Sequence, residues 1–449
     1  MLPRLSATLL FAALAIPALH AATLAPTPPM GWNSWDAYGF TINEKDFKAN
    51  VHVLRGLRKY GWNYAVIDEG WYFKDPLAQP NARVYNLDAD GRLVPDPARY
   101  PSAAAGAGFK PLADWVHAQG LKFGIHILRG IPKESVRKNL PIANGAYHAE
   151  DAADTSDVCP WDNGDYGVRD NAAGQAYYDS IIDLYAKWGV DFLKVDCISS
   201  HPYKADEIRM IAKAIRKSGR PIVLSLSPGP TSLSHAEEVG EYSQMWRIAN
   251  DIWDGWTFRG PFPKGLLSAF DNLAKWSQYA KPGNWPDADM LPWGSLRPHP
   301  GWGPPRQSRL TQDEQRTQFT LWSIARSPLI LGANLTQLDG FTRSLITNRE
   351  VIALNQKGAS SHEVPLASDQ AAQLRAWSAE TGGSHAKRYI AVFNLTDAPL
   401  QKDLDWKVLL GSQASHAYYD VWNRKQVASA QALHVDLPPH ACALLRVAR

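Results

Sequence analysis

Cysteine is scarce in this chain, three residues in 449. Three are too few for a disulfide-built scaffold, and they lack the spacing of a metal-ligand set, so no zinc site is expected. Cys159 and Cys197 could form one bridge, leaving Cys442 free. Net charge is nearly absent as well, +3, which removes any electrostatic argument for nucleic acid or an acidic membrane as partner. Beyond the N-terminus there is no uncharged stretch of about 20 apolar residues that could span a bilayer. Internal repeats and low-complexity tracts are missing too.

What the chain has in quantity is aromatic surface, 18 Trp and 17 Tyr. A large core absorbs most of these side chains. The remainder suit sugars, because Trp and Tyr set a flat apolar face beside a hydrogen-bonding group. Residues 1 to 21 have the features of a secretory signal. Arg4 supplies the positive charge, Leu9 to Ile16 an apolar run, and Ala21 a small residue at the cleavage point. A periplasmic or extracellular location is therefore expected, where disulfides persist.

From Pro29 onward short apolar runs alternate with helical patterns, the signature of parallel β/α units. Tyr64–Asp68, Lys122–His126, Phe192–Asp196, Ile222–Ser227 and Pro328–Leu331 are the clearest strands. Met30–Trp35, Met245–Ile248 and the segment near Trp285 would complete eight. The stretch from Tyr177 to Lys187 places apolar residues at i, i+3, i+4 and i+7, a helix. After Gln356 the texture becomes strand-like with polar turns: Arg388–Leu395, Ala417–Val421 and Ala443–Val447. The expected architecture is a (β/α)8 TIM barrel over residues 22–356, followed by an antiparallel β-sandwich over residues 357–449. Asn334-Leu-Thr and Asn394-Leu-Thr match the glycosylation sequon.

In such a barrel the active site lies at the C-terminal ends of the strands, and several strands here end in groups that a core would reject. One ends in Asp68 and Glu69. Another, Phe192-Leu-Lys-Val-Asp196, ends in a lysine and an aspartate. Side chains alternate along a strand, so Lys194 and Asp196 share a face while Leu193 and Val195 take the other. A cation beside Asp196 would keep it ionised, as a nucleophile must be; a structural ion pair is the plainer reading. The segment Trp246-Arg-Ile-Ala-Asn-Asp251, followed by Trp253, Asp254 and Trp256, sets a carboxyl group among tryptophans. Such a wall favours the protonated form needed of a general acid, though the same residues could simply cap a helix. Two acidic groups at an aromatic mouth suggest glycoside hydrolysis.

Met30-Gly-Trp-Asn-Ser-Trp35, Val66-Ile-Asp-Glu-Gly-Trp71, Gly189-Val-Asp-Phe-Leu-Lys-Val-Asp196 and Trp285-Pro-Asp-Ala-Asp-Met-Leu291 occur in that order. Together with Gly91-Arg-Leu93 and Gly120-Leu-Lys-Phe-Gly-Ile125, they resemble glycoside hydrolase family 27, the α-galactosidase and α-N-acetylgalactosaminidase family. The resemblance runs from about Pro29 to Gln356; the tail fits the family's β-sandwich only in texture. It implies a retaining double displacement with Asp196 as nucleophile and Asp251 as acid/base. It also implies Lys194 on ring hydroxyls, Arg247 at the 2-position, Trp35 as sugar platform, Asp68 and Glu69 on the 4- and 6-hydroxyls, and Asp289 and Met290 lining the pocket. No metal or organic cofactor is implied; the partner is a galactoside or related oligo- or polysaccharide.

The departures concern the sugar. The family's usual Asp-Asp is Asp68-Glu69 here. Ser227, followed by Pro228-Gly-Pro230, stands near the fifth strand end, where the family carries a glutamate or serine and then a tryptophan. His126 replaces a tyrosine, with Arg129 following, and is taken as a hydrogen-bonding pocket residue rather than a catalytic one. Cys197 sits one position earlier than the family's pocket cysteine. An α-galactosidase is the first expectation. A β-L-arabinopyranosidase or an α-N-acetylgalactosaminidase keeps the same machinery. A sugar-binding protein on an inactive barrel conflicts with Lys194, Asp196, Arg247 and Asp251 all being present. A metal-dependent barrel hydrolase lacks its His-x-His or His/Cys set, and chelator resistance would exclude it.

Overall fold

The computed structural model describes residues 23–448 apart from 144, 298–303 and 383–385. The export signal assigned to residues 1–21 lies outside the described residues. Eight parallel strands form one sheet: β1 Met30–Asn33, β2 Tyr64–Ile67, β3 Lys122–Leu128, β4 Phe192–Asp196, β5 Val223–Leu226, β6 Met245–Arg247, β7 Trp285–Asp287 and β8 Leu329–Leu331. Neighbours follow chain order from β1 to β7, and β8 pairs with β1. A parallel bridge from Leu291, just past β7, to Leu331 closes the ring. The strands expected from sequence all form, each within two residues of its expected ends.

The alternation in β4 holds. Leu193 and Val195 are fully buried in the layer shared with the helices, while Lys194 and Asp196 line a cavity at the barrel mouth. The helix preceding β4, Ala172–Trp188, starts where Asn171 accepts a hydrogen bond from Gly174 N–H and stops at Gly189, whose φ of 88° suits glycine. Its buried face carries Tyr177, Tyr178, Ile181, Ile182, Tyr185 and Trp188, the helical period seen in the sequence.

Small sheets also form that were not expected, among them one in the β3–β4 connection. Between β3 and that helix, Ile131–Pro132, Ala153–Val158 and Asp165–Val168 form a three-stranded antiparallel sheet. Its longest strand, Ala-Asp-Thr-Ser-Asp-Val, is mostly exposed, so it offers no apolar alternation to detect.

After the barrel, β9 Gly358–Val364, β10 Leu374–Thr381, β11 Arg388–Asn394, β12 Leu400–Asp405, β13 His416–Asp420, β14 Lys425–Ala430, β15 Ala432–Leu437 and β16 Cys442–Val447 form the C-terminal antiparallel unit. Six of them make one sheet, and β12 with β15 a second. In β11, Ile390 and Val392 pack with Leu404, Leu433 and Val435 of the small sheet. The alternate residues Ala391 and Phe393 belong to the core shared with the barrel. The large sheet therefore serves as both sandwich face and docking face. Asn394 of the second sequon is fully buried, its amide donating to the Ala398 and Pro438 carbonyls; a glycan would not fit. Among the described residues no helix is long and apolar enough to cross a membrane.

Candidate active site

The strand ends open on a cavity of about 490 Å³, and six of the eight barrel strands send residues to it. Trp35 and Asp36 follow β1, and Asp68 and Glu69 follow β2. Lys194 and Asp196 close β4, Ser227 follows β5, Arg247 ends β6, and Asp289 and Met290 follow β7. The structure thus gathers every sequence-predicted pocket residue but one, together with Asp251.

The exception is His126. It lies inside β3, fully buried, and does not line the cavity. It stands behind Asp196, with Nε2 3.5 Å from Oδ2, at the limit of hydrogen-bonding reach. It is therefore a positioning neighbour of Asp196 rather than a sugar contact. Burial alone would raise the Asp196 carboxyl. The His126 ring, the Lys194 charge and the Cys197 N–H, which donates at 2.6 Å, outweigh it and hold the group below its ordinary value.

Lys194 lowers Asp196 through its charge, as expected, while its ammonium bonds to Asp68 Oδ2 at 2.9 Å. Asn33 donates to the same oxygen at 2.6 Å and the Glu69 N–H to the other. Against the upward push of burial, the Lys194 and His126 charges and the Glu69 N–H hold the Asp68 carboxyl well below the usual carboxylate range. Glu69 is treated oppositely. Burial, and then Asp162, Asp196 and Asp68, push its carboxyl well above the ordinary value, opposed by Arg83. The adjacent carboxyls are thus set apart, one an acceptor and the other favoured as a protonated donor.

Across the cavity, Arg247 Nη2 donates to Asp289 at 2.7 Å and to Asp251 at 3.2 Å. Asp289 also accepts from the Ile252 and Met290 N–H groups. It therefore fixes the loop that presents Asp251, besides lining the pocket. The tryptophan wall expected around Asp251 does not form. Trp246 packs beside Trp276, and Trp256 stacks on His440 with centroids 4.1 Å apart; only Trp253 of the three lines the cavity. The Asp251 side chain is 34% exposed with a guanidinium as neighbour, and no helix starts there.

Cys159 and Cys197 are bonded across 38 residues, and Cys442 is free and buried. Closing a loop of that length stabilises by about 4 kcal/mol in the chain-entropy picture. Arg129, also buried, donates to the Cys197 carbonyl at 2.7 Å and forks onto Asp157 and Glu207. Disulfide and guanidinium together brace the turn that follows Asp196, where Cys197 sits at φ 60°.

Sequence reasoning missed Asp36, although it directly follows Trp35. It is buried at 4% exposure, and among the described residues its Oδ2 has no hydrogen-bond partner. Burial, and then the nearby Asp289, push the carboxyl well above its ordinary value, against the pull of Lys194. A carboxyl raised on folding binds its proton more tightly folded than unfolded, so it subtracts stability as pH climbs above the unfolded value of about 3.9. The Asp36→Asn variant should therefore gain on wild type between pH 4 and pH 8, by on the order of 1–3 kcal/mol at the upper end. Thermal unfolding across that range checks it; a pH-independent difference contradicts it.

Relatives of this chain are found among known glycosidases. The Alpha galactosidase A family matches residues 27–133 and 162–357, and the Alpha galactosidase C-terminal beta sandwich domain matches residues 371–447. A GH27 β-L-arabinopyranosidase of Geobacillus stearothermophilus, solved in complex with arabinose, is similar over 95% of this chain and 98% of its own. The two are 40% identical, with a TM-score of 0.88. Alpha-galactosidase A of Cellvibrio japonicus is 27% identical over 94% of this chain and 92% of its own. Alpha-N-acetylgalactosaminidase of Gallus gallus is 30% identical over 74% of this chain and 71% of its own.

Proposed function

The chain belongs to the Alpha galactosidase A family, and from that premise we propose a retaining exo-glycosidase that prefers terminal β-L-arabinopyranosides over α-D-galactosides. Asp196, ionised and braced from behind, attacks the anomeric carbon and forms a glycosyl-enzyme. Asp251, on the loop that Asp289 holds, protonates the departing oxygen and then deprotonates the water that releases the sugar. Asp68 and Lys194 form a fixed acceptor and donor pair for ring hydroxyls, and Arg247 carries its charge to the cavity wall. The N-terminal segment read as an export signal would place this reaction outside the cytoplasm.

Glu69 carries the choice of sugar. α-D-Galactopyranose and β-L-arabinopyranose share ring and hydroxyl stereochemistry, and the arabinoside lacks only the C6 hydroxymethyl. Glu69 lines the cavity, and its side chain forms no hydrogen bond among the described residues. Its extra methylene carries the carboxyl further into the cavity than an aspartate would reach. That crowds a hydroxymethyl and leaves room for a pentose. The similarity to the Geobacillus arabinopyranosidase supports the same choice.

One methylene in a pocket is worth about 1–3 kcal/mol, so Glu69→Asp should raise the galactoside-to-arabinoside ratio of kcat/KM by roughly 10- to 200-fold. Parallel assays on the two aryl glycosides, with the α-N-acetylgalactosaminide as third arm, measure it. An unchanged ratio removes Glu69 as the discriminator.

A further inference from the structure

Among the described residues few large apolar side chains are left exposed; one is a tryptophan, Trp161 at 46%, and one a phenylalanine, Phe262 at 36%. Both line the active-site cavity. A half-exposed indole offers apolar area that a bound ligand can cover, and both residues combine partial exposure with a place in the cavity lining.

The backbone ties each ring to one catalytic carboxylate. Trp161 is two residues from Cys159, which is bonded to Cys197, the residue after Asp196. On its other side Asp162 pairs with Arg83 and accepts from Gly164 N–H at 2.9 Å. The Trp161 loop is thus fastened at both flanks. Phe262 is two residues from Lys264, whose N–H donates to the Asp251 carbonyl at 2.8 Å and whose carbonyl accepts from Trp253 N–H. Phe262 therefore lies on the segment paired with the one that carries the acid, the side toward which the protonated leaving group departs.

Resting on the glycosidase reading of this cavity, we propose that Trp161 and Phe262 form a binding site for the leaving group. Its occupant is the pyranose ring to which the terminal sugar is linked. A pyranose presents an apolar C–H face that suits a flat aromatic ring, with its hydroxyls turned to solvent. The natural substrate is then an oligosaccharide or glycan chain end rather than the glycoside of a small alcohol. A platform fastened at both flanks loses little freedom on binding.

The test compares two substrates that share a glycone: a disaccharide with glucose as leaving group and the matching methyl glycoside. Both are run in β-L-arabinopyranosyl and α-D-galactosyl series, so an error in the glycone shows as a change of series while the comparison within a series stands. For Trp161→Ala and Phe262→Ala, kcat/KM on the disaccharide should fall about 10-fold, equivalent to about 1.4 kcal/mol, mainly through KM. The methyl glycoside should change less than about 2-fold, and Trp161→Tyr should recover most of the loss. Equal losses on both substrates, or no loss on the disaccharide, overturn the proposal.

Discussion

Replacing Asp196 with alanine is expected to remove turnover of every glycoside tested, by about ten-thousand-fold or more in kcat. Asp196 closes β4 and lines the cavity, held ionised by His126 and Lys194 and gripped at one oxygen by the Cys197 N–H, whereas Asp68 has its other oxygen engaged by Lys194 and Asn33. Without it no glycosyl-enzyme forms, and even an activated leaving group cannot rescue the first step. Added azide should restore some turnover by entering the vacated space and giving a glycosyl azide of inverted configuration. A mechanism-based trap should label Asp196 in the wild-type enzyme, as read by peptide mass mapping. Substantial activity in Asp196→Ala, or a label on another residue, would contradict the assignment.

Asp251→Ala should behave differently. On a disaccharide, whose leaving alcohol needs a proton, the loss should be about 100- to 10,000-fold. On a dinitrophenyl glycoside the first step needs no proton, so it should survive while the second slows, and a burst of phenolate should appear. The side chain is partly exposed, and among the described residues its hydrogen-bond partner is Arg247 at 3.2 Å, so its removal should leave the melting temperature close to that of wild type. Equal losses on the two substrates would remove Asp251 from the acid/base role.

Asp196 was legible as a cavity-facing carboxylate because the period of a strand is short and local. In Phe192-Leu-Lys-Val-Asp196 every other residue must face the barrel layer, so the charged pair had to face the mouth. Local pattern does not disclose partners far off in sequence. Lys194 answers to Asp68, 126 residues away, and His126, not Lys194, is the neighbour directly behind Asp196. The tryptophans around Asp251 misled for the same reason. Proximity in sequence says nothing about which side of a loop an indole leaves from, and Trp246 and Trp256 leave toward other parts of the core. The insert strand Ala153–Val158 and the edge strands β9 and β14 bury too little to show alternation. The signal for Asp36 was present, a carboxyl beside a pocket tryptophan, but its lack of a partner is a property of the folded cavity.

The proposed reaction is a double displacement at one carbon, and the configuration of the first product tests it most directly. Hydrolysis of an aryl β-L-arabinopyranoside followed by proton NMR should show β-L-arabinopyranose appearing first, with the α anomer growing in only as mutarotation proceeds. Initial release of the α anomer would mean a single displacement by water, and Asp196 could not then be the nucleophile.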